Sequence, residues 1–588
     1  LKWHHPAGAL AFELLALFAL IVLARWGKVP RLFARLLIFA FLFSELALTA
    51  AFHVFRSHVH GFQISNLKIM ELREPLLARL QQPPVLAGLA ACAALSFWFA
   101  REGSIERAPR QRWMWRPALM LLPFVVVVVQ QLKEPDAFAT VGSSPLAEFL
   151  STFEQPSGPI ESLKGKAHPE DWAPVTELAP MWKHLAKVPR QFNILTVVLE
   201  SVRHDVVWPE KRAPPMPNLQ ALAPHTANFT RAYSHDVRSI KSLESMTFGV
   251  YPEPRWEALA WNRGDIALDS VPERWARMGV RSAFIQNADL SFDSQDKMLR
   301  GRGDIRLMWD VHLEAFEPKN HDDRALVPAL ESFIDEAPGK RFGATLWVRH
   351  THGPYQLPPP LVNKAPLSSF EAYQETVAFE DVVLGELVAM LKRRGLFEST
   401  VIVLVGDHGD SLAERPKDRS IYRAWVYESA THVPLILINP VLFHGERDDR
   451  ITQLKDLAPT LTWLAGDDDP NMNVGRALFF QKRSEAAYLV NLFLGHRGGV
   501  VWDRWKYLYA DAYRGVKSED LLFDLSVDPE EKNNVWAKHP IEGQLLKDRY
   551  FGWVNEWQER WGVLRTPEYT DRKQVTKRLA RELAEIGQ

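Results

Sequence analysis

Apolar positions follow two regimes along this chain. Before residue 133 they form long runs, at roughly 7–25, 33–53, 84–100 and 117–132. Each run is close to the ~17–25 residues that cross a bilayer core. Buried helices of a soluble domain are the alternative reading, but four runs in succession separated by basic loops favour a membrane domain. The loops "RWGKVPRLFAR" and "REGSIERAPRQRWMWRP" are rich in arginine, which places both on the cytoplasmic side. The segment 54–83 and everything after the fourth run then lie on the far side. Within that segment, "NLKIMELREPLLARL" reads as an amphipathic helix at the membrane surface or as a plain connecting helix. The same topology puts Leu1 outside, so a fifth helix is expected ahead of it.

From 134 to 188 the periodicity lapses, as in "EQPSGPIESLKGKAHPED", and a connector with short helices is expected. At Asn193 the second regime begins. "NILTVVLE" is a β-branched run ending in an acid, the pattern of a strand buried on both faces. "RSAFIQ" (281–286), "FGATLWVRH" (342–350), "TVIVLVGDHGD" (400–410) and "VPLILINP" (433–440) repeat it. Helical stretches such as "SSFEAYQETVAFEDVVLGELVAMLKRRG" alternate with them, which predicts a parallel α/β sheet with helices on both faces. The expected organisation is a transmembrane domain over 1–133, a linker over 134–188, an α/β core over 189–470 and a smaller C-terminal part over 471–588.

The 588 residues require more than one core. A net charge of −1 excludes a nucleic-acid binder that relies on a global positive field. Cys92 is the only cysteine, which excludes an intrachain disulfide and a cysteine zinc site.

Candidate chemistry sits at strand ends and at one helix start. Glu200 follows the first strand, and Ser239 lies in "HDVRSIKSLES". His352 lies in "RHTHGPY", Asp407 and His408 in "GDHGD", and His432 in "YESATHVP". Singly, each has a plain explanation as a helix cap or a satisfied core histidine. Their order along one α/β domain is far more specific.

The words "PNLQALAPHTANFTRAYS", "FGVYP", "HGPY", "GDHGD", "VYESATHVPLILINP" and "LKDLAPTLTWLAG" resemble the alkaline phosphatase/sulfatase superfamily. With the apolar N-terminal part, the chain resembles its membrane-anchored branch, the lipoteichoic acid synthases and phosphoethanolamine transferases. That resemblance implies an α/β sulfatase-like catalytic domain. It implies a divalent metal held by Glu200, Ser239, Asp407 and His408, with Ser239 as nucleophile. Such a donor set suits Zn²⁺ or Mn²⁺, whereas an all-oxygen set would favour Ca²⁺ or Mg²⁺. Lys241, His352, Arg423 and His432 are the implied substrate contacts, and Ser242 is the rival nucleophile. The expected location is a bacterial-type inner membrane, multi-pass, with the catalytic domain on the outer, periplasmic side.

Two departures bear on the reaction. Sulfatases mature a Cys or Ser in C/S-x-P-S-R into an aldehyde, and here Lys241 and Leu243 stand in place of the Pro and Arg. Ser239 is therefore expected to stay a hydroxyl. The leading expectation is a transferase moving a phosphate-linked head group from a membrane phospholipid to a glycan or lipid acceptor. The alternatives are a membrane-tethered hydrolase of sulfate or phosphate esters, and a non-enzymatic binding module.

Overall fold

The computed structural model describes residues 165–564, apart from short internal stretches of which 312–321 and 415–424 are the longest. The four apolar runs before residue 133, and the fifth helix expected ahead of Leu1, lie outside the described residues. Among those described, no helix is long and apolar enough to cross a membrane.

Ten strands precede residue 450: β1 (Asn193–Leu199), β2 (Thr226–Phe229), β3 (Ala232–Tyr233), β4 (Arg281–Gln286), β5 (Ile305–Met308), β6 (Phe342–Val348), β7 (Thr400–Gly406), β8 (His432–Val433), β9 (Leu435–Ile438) and β10 (Glu446–Asp448). Eight of them form one sheet in the order β10-β2-β9-β7-β1-β6-β4-β5. β1 sits centrally and runs parallel to both β6 and β7. Alternation along β1 sends Ile194 and Val198 into one apolar layer and Leu195, Val197 and Leu199 into the other. That two-sided burial explains the unbroken apolar run read from the sequence.

Helices cover both faces. α1 (Ser239–Phe248), α2 (Val271–Arg277) and α4 (Leu457–Leu464) contribute Ile240, Trp275 and Leu461 to the Val198 layer. α3 (Ser369–Arg393) opens with a Ser368–Glu371 capping box and packs Val377, Leu384 and Leu391 into the opposite layer. One expectation is corrected: the strand in "VPLILINP" is antiparallel to β7. Between β7 and β9 the described helix is a single turn, Glu428–Thr431. β9 is antiparallel to β2 as well, so it is the one strand of this sheet reversed against its neighbours, an arrangement common in mixed sheets.

A second, antiparallel sheet of four strands spans Ala486–Asn491, Arg497–Trp502, Trp505–Ala510 and Glu519–Asp524. The C-terminal helix α5 (Pro540–Leu564) ties back to the turn after α1, with Trp557 and Trp561 donating to the Pro252 and Tyr251 carbonyls. The described end of the expected linker is packed as well. Trp182 is fully buried, and Asp171 is bonded by Tyr488 and Arg549.

Candidate active site

Strand register brings the candidate residues together. Leu199 is the partner of both Val348 on β6 and Gly406 on β7, so Glu200 and Asp407 leave the sheet at the same height. Buried ligand atoms of Glu200, Asp407 and His408 lie within 4.8 Å of one another. Ser239, the first residue of α1, meets them from above the sheet edge. Its Oγ donates to Glu200 Oε1 at 2.9 Å and lies 3.3 Å from His408 Nε2. Ser242 is occupied otherwise, donating to the Asp407 carbonyl at 2.6 Å. Ser239 faces the cluster and Ser242 braces it.

The surrounding bonds decide which atoms remain available. Asp407 Oδ1 accepts the N–H groups of Ser201 at 2.7 Å and His408 at 2.8 Å. Its Oδ2 is buried and takes no hydrogen bond. His408 Nδ1 lies 2.8 Å from the Gly409 carbonyl. A carbonyl only accepts, so Nδ1 carries the proton and Nε2 presents a lone pair to the cluster. Glu200 Oε2 accepts the Trp347 indole N–H at 2.8 Å, leaving Oε1 toward Ser239. Ser201 holds a left-handed φ of 58°, and Tyr373 fixes it by donating to its carbonyl at 2.7 Å. Such backbone strain persists only where the surroundings enforce it. Gly409 is required for space, because a Cβ there would stand 2.2 Å from the Ser429 carbonyl oxygen.

Burial, opposed by His352 and by the hydrogen bonds from Trp347 and Ser239, leaves Glu200 below the ordinary carboxyl range. Burial and the neighbouring Glu200 charge push Asp407 up to about 7. Two buried carboxylates this close are unfavourable unless a cation or a proton joins them. A divalent ion fits the residues present. Two carboxylates, one unprotonated imidazole nitrogen and a hydroxyl converge, and the unbonded Asp407 Oδ2 is the atom such an ion would satisfy. The mixed oxygen and nitrogen donors suit Zn²⁺ or Mn²⁺.

The other expected contacts fare differently. His352 lies close enough for its charge to act on Glu200, and its Nδ1 is 2.7 Å from the Gly353 carbonyl. Lys241, expected to meet the substrate anion, is turned into the interior beside Glu244 at 3.5 Å and the Glu253 carbonyl at 3.2 Å. His432 has both ring nitrogens engaged, by the Thr230 carbonyl at 2.8 Å and by Glu428 at 3.0 Å. Arg423 lies outside the described residues. Trp347 and Thr351, whose hydroxyl donates to the Glu200 carbonyl, went unnoticed in the sequence.

The geometry can now be set beside known proteins. Residues 192–466 match the Sulfatase family model. The chain also resembles arylsulfatase K over part of its length. The Xenopus laevis protein is 30% identical over 192 residues, covering 30% of this chain and 35% of the relative. The human one is 29% identical over 200 residues, covering 31% and 36%. The chain thus spans about a third of the curated relatives it matches. A solved alkaline phosphatase superfamily protein from Vibrio parahaemolyticus superposes with a TM-score of 0.51 at 19% identity, covering 66% of this chain and 90% of that one. That likeness establishes the α/β fold. Together the family match and the named arylsulfatases indicate an enzyme.

Proposed function

We propose that the domain is a metal-dependent hydrolase of sulfate or phosphate esters with Ser239 as its nucleophile. The observation that carries this reading is the Ser239 hydroxyl, bonded to Glu200 and adjacent to the unprotonated Nε2 of His408, over three buried ligands. The arylsulfatase relatives support hydrolysis over transfer.

A bound divalent ion would lower the pKa of a coordinated hydroxyl and draw electron density from the ester. The chain's own groups supply the rest. Glu200 Oε1 orients the Ser239 Oγ–H, and the first N–H groups of α1, which lack partners within the helix, attract the tetrahedral anion. Oγ passes its proton to Glu200 Oε1, its hydrogen-bond acceptor, as it forms the new bond to sulfur or phosphorus. The ester bond breaks with its electron pair on the alcohol oxygen, and a protonated His352, close enough to act on Glu200, gives that oxygen a proton. Water then releases the anion and restores the serine.

A second reading has one observation in its favour. Lys241 and Leu243 stand where the maturation signal needs Pro and Arg, so Ser239 keeps a hydroxyl suited to a phosphoserine intermediate. With a membrane domain over 1–133, that chemistry suits transfer of a phospho-head group from a phospholipid to a glycan or lipid acceptor, on the outer face of a bacterial-type inner membrane.

Initial rates on aryl sulfate, aryl phosphate and phosphodiester substrates, with and without EDTA, test the proposal. Metal-dependent release should fall at least about a thousand-fold in Ser239→Ala. Equal rates in that variant would overturn it. Head-group release from phospholipid vesicles without aryl-ester turnover would favour the second reading.

A further inference from the structure

The turn carrying Thr351 and His352 rests on two buried acids. Asp323 is fully buried, and its Oδ2 accepts the N–H groups of Arg349 at 2.8 Å and His350 at 3.1 Å, the first residues beyond β6. Thr351 then bonds the Glu200 carbonyl, and the His352 N–H closes back on the Arg349 carbonyl at 2.9 Å. Facing Asp323 is Glu380 of α3, 2% exposed. Neither oxygen of Glu380, nor Asp323 Oδ1, meets a donor in hydrogen-bond geometry.

Two carboxylates in such a place cannot both stay ionised without a neutralising partner. The charged groups nearby are committed elsewhere. Arg324 pairs with Asp322 and faces Glu386, Arg349 donates to the Asn287 carbonyl, and His350 Nδ1 bonds the Gln356 carbonyl. Among the described residues no third metal-ligating side chain joins the pair, and a single proton is enough to neutralise one of its charges.

We propose that Asp323 and Glu380 share one proton and, as a pair, are positioning residues that hold the Thr351–His352 turn against the site. Burial and the Asp323 charge push the Glu380 carboxyl well above its ordinary range, against the opposing His350 N–H. The catalytic consequence rests on the reading of His352 given above; the shared proton does not.

Glu380→Gln tests the pair, since an amide cannot ionise and still donates to Asp323. Above the ordinary carboxyl range the unfolded chain loses the Glu380 proton while the folded chain keeps it, so wild-type stability declines as pH rises. Melts from about pH 4.5 to about pH 8.5 should show the variant near wild type at the acidic end and increasingly more stable toward the alkaline end. A variant less stable than wild type at the alkaline end, or one with an unchanged pH slope, would overturn the shared proton. Asp323→Ala should speed amide exchange across 349–352 and lower kcat about tenfold with a smaller change in KM. Unchanged exchange there would overturn the positioning role. Failure of the hydrolase reading alone would leave the melts and the exchange data standing.

Discussion

An indole N–H on one carboxylate oxygen fixes how the group presents the other to a metal. Trp347 orients Glu200 in that way, so Trp347→Phe should weaken metal affinity about 10–100-fold while keeping most of the ring packing. Competition against a chromophoric chelator measures this, and an unchanged affinity would remove Trp347 from the account. Glu200, Ser239, Asp407 and His408 were legible in the sequence because each ends a strand or starts a helix inside a recognisable word. Trp347 was not, because its role depends on pairing with a residue 147 positions away. The Lys241 expectation was lost for a local reason. Two residues along a helix is about 200° around its axis, so Lys241 faces away from Ser239 and into the core.

At the scale of elements, the site depends on β1, β6 and β7 ending level, and on the C-terminal sheet bracing the Glu428–Thr431 turn behind Gly409. Lys506 is fully buried and bridges Glu428 at 2.9 Å to Glu531 at 3.1 Å. Burial opposed by Lys506 and His432 holds Glu428 far below the ordinary carboxyl range. Lys506→Ala would strand two buried carboxylates and should cost about 3–5 kcal/mol in urea unfolding. A loss below about 1 kcal/mol, the worth of an exposed pair, would contradict that bracing role. The five strands expected from apolar runs all formed. The shorter strands at the sheet margins, β2, β5 and β10, carry too few apolar residues to announce themselves. The direction of β9 was not legible because an apolar run reads the same in either orientation.

For the whole molecule, the acidic cluster makes stability depend on pH and metal together. Asp407 titrates near 7 in the fold against an ordinary value of 3.8. Between those values the metal-free folded chain binds the extra proton. The Asp407 contribution to stability therefore falls as pH rises from about 4 to about 7, by up to roughly 4 kcal/mol. Adding Zn²⁺ or Mn²⁺ at neutral pH should recover the loss, read as a rise in Tm that EDTA reverses. A metal-free Tm whose pH slope is the same in Asp407→Asn would contradict the assignment. The central claim is that residue 239 acts as an unmodified serine. Peptide mass spectrometry across 235–245, on protein quenched in acid during turnover of an aryl phosphate, tests it directly. A serine at 239 is expected, with a fraction carrying one phosphoryl group that is absent from Ser239→Ala. An aldehyde at 239, or full turnover with the adduct on another residue, would contradict it.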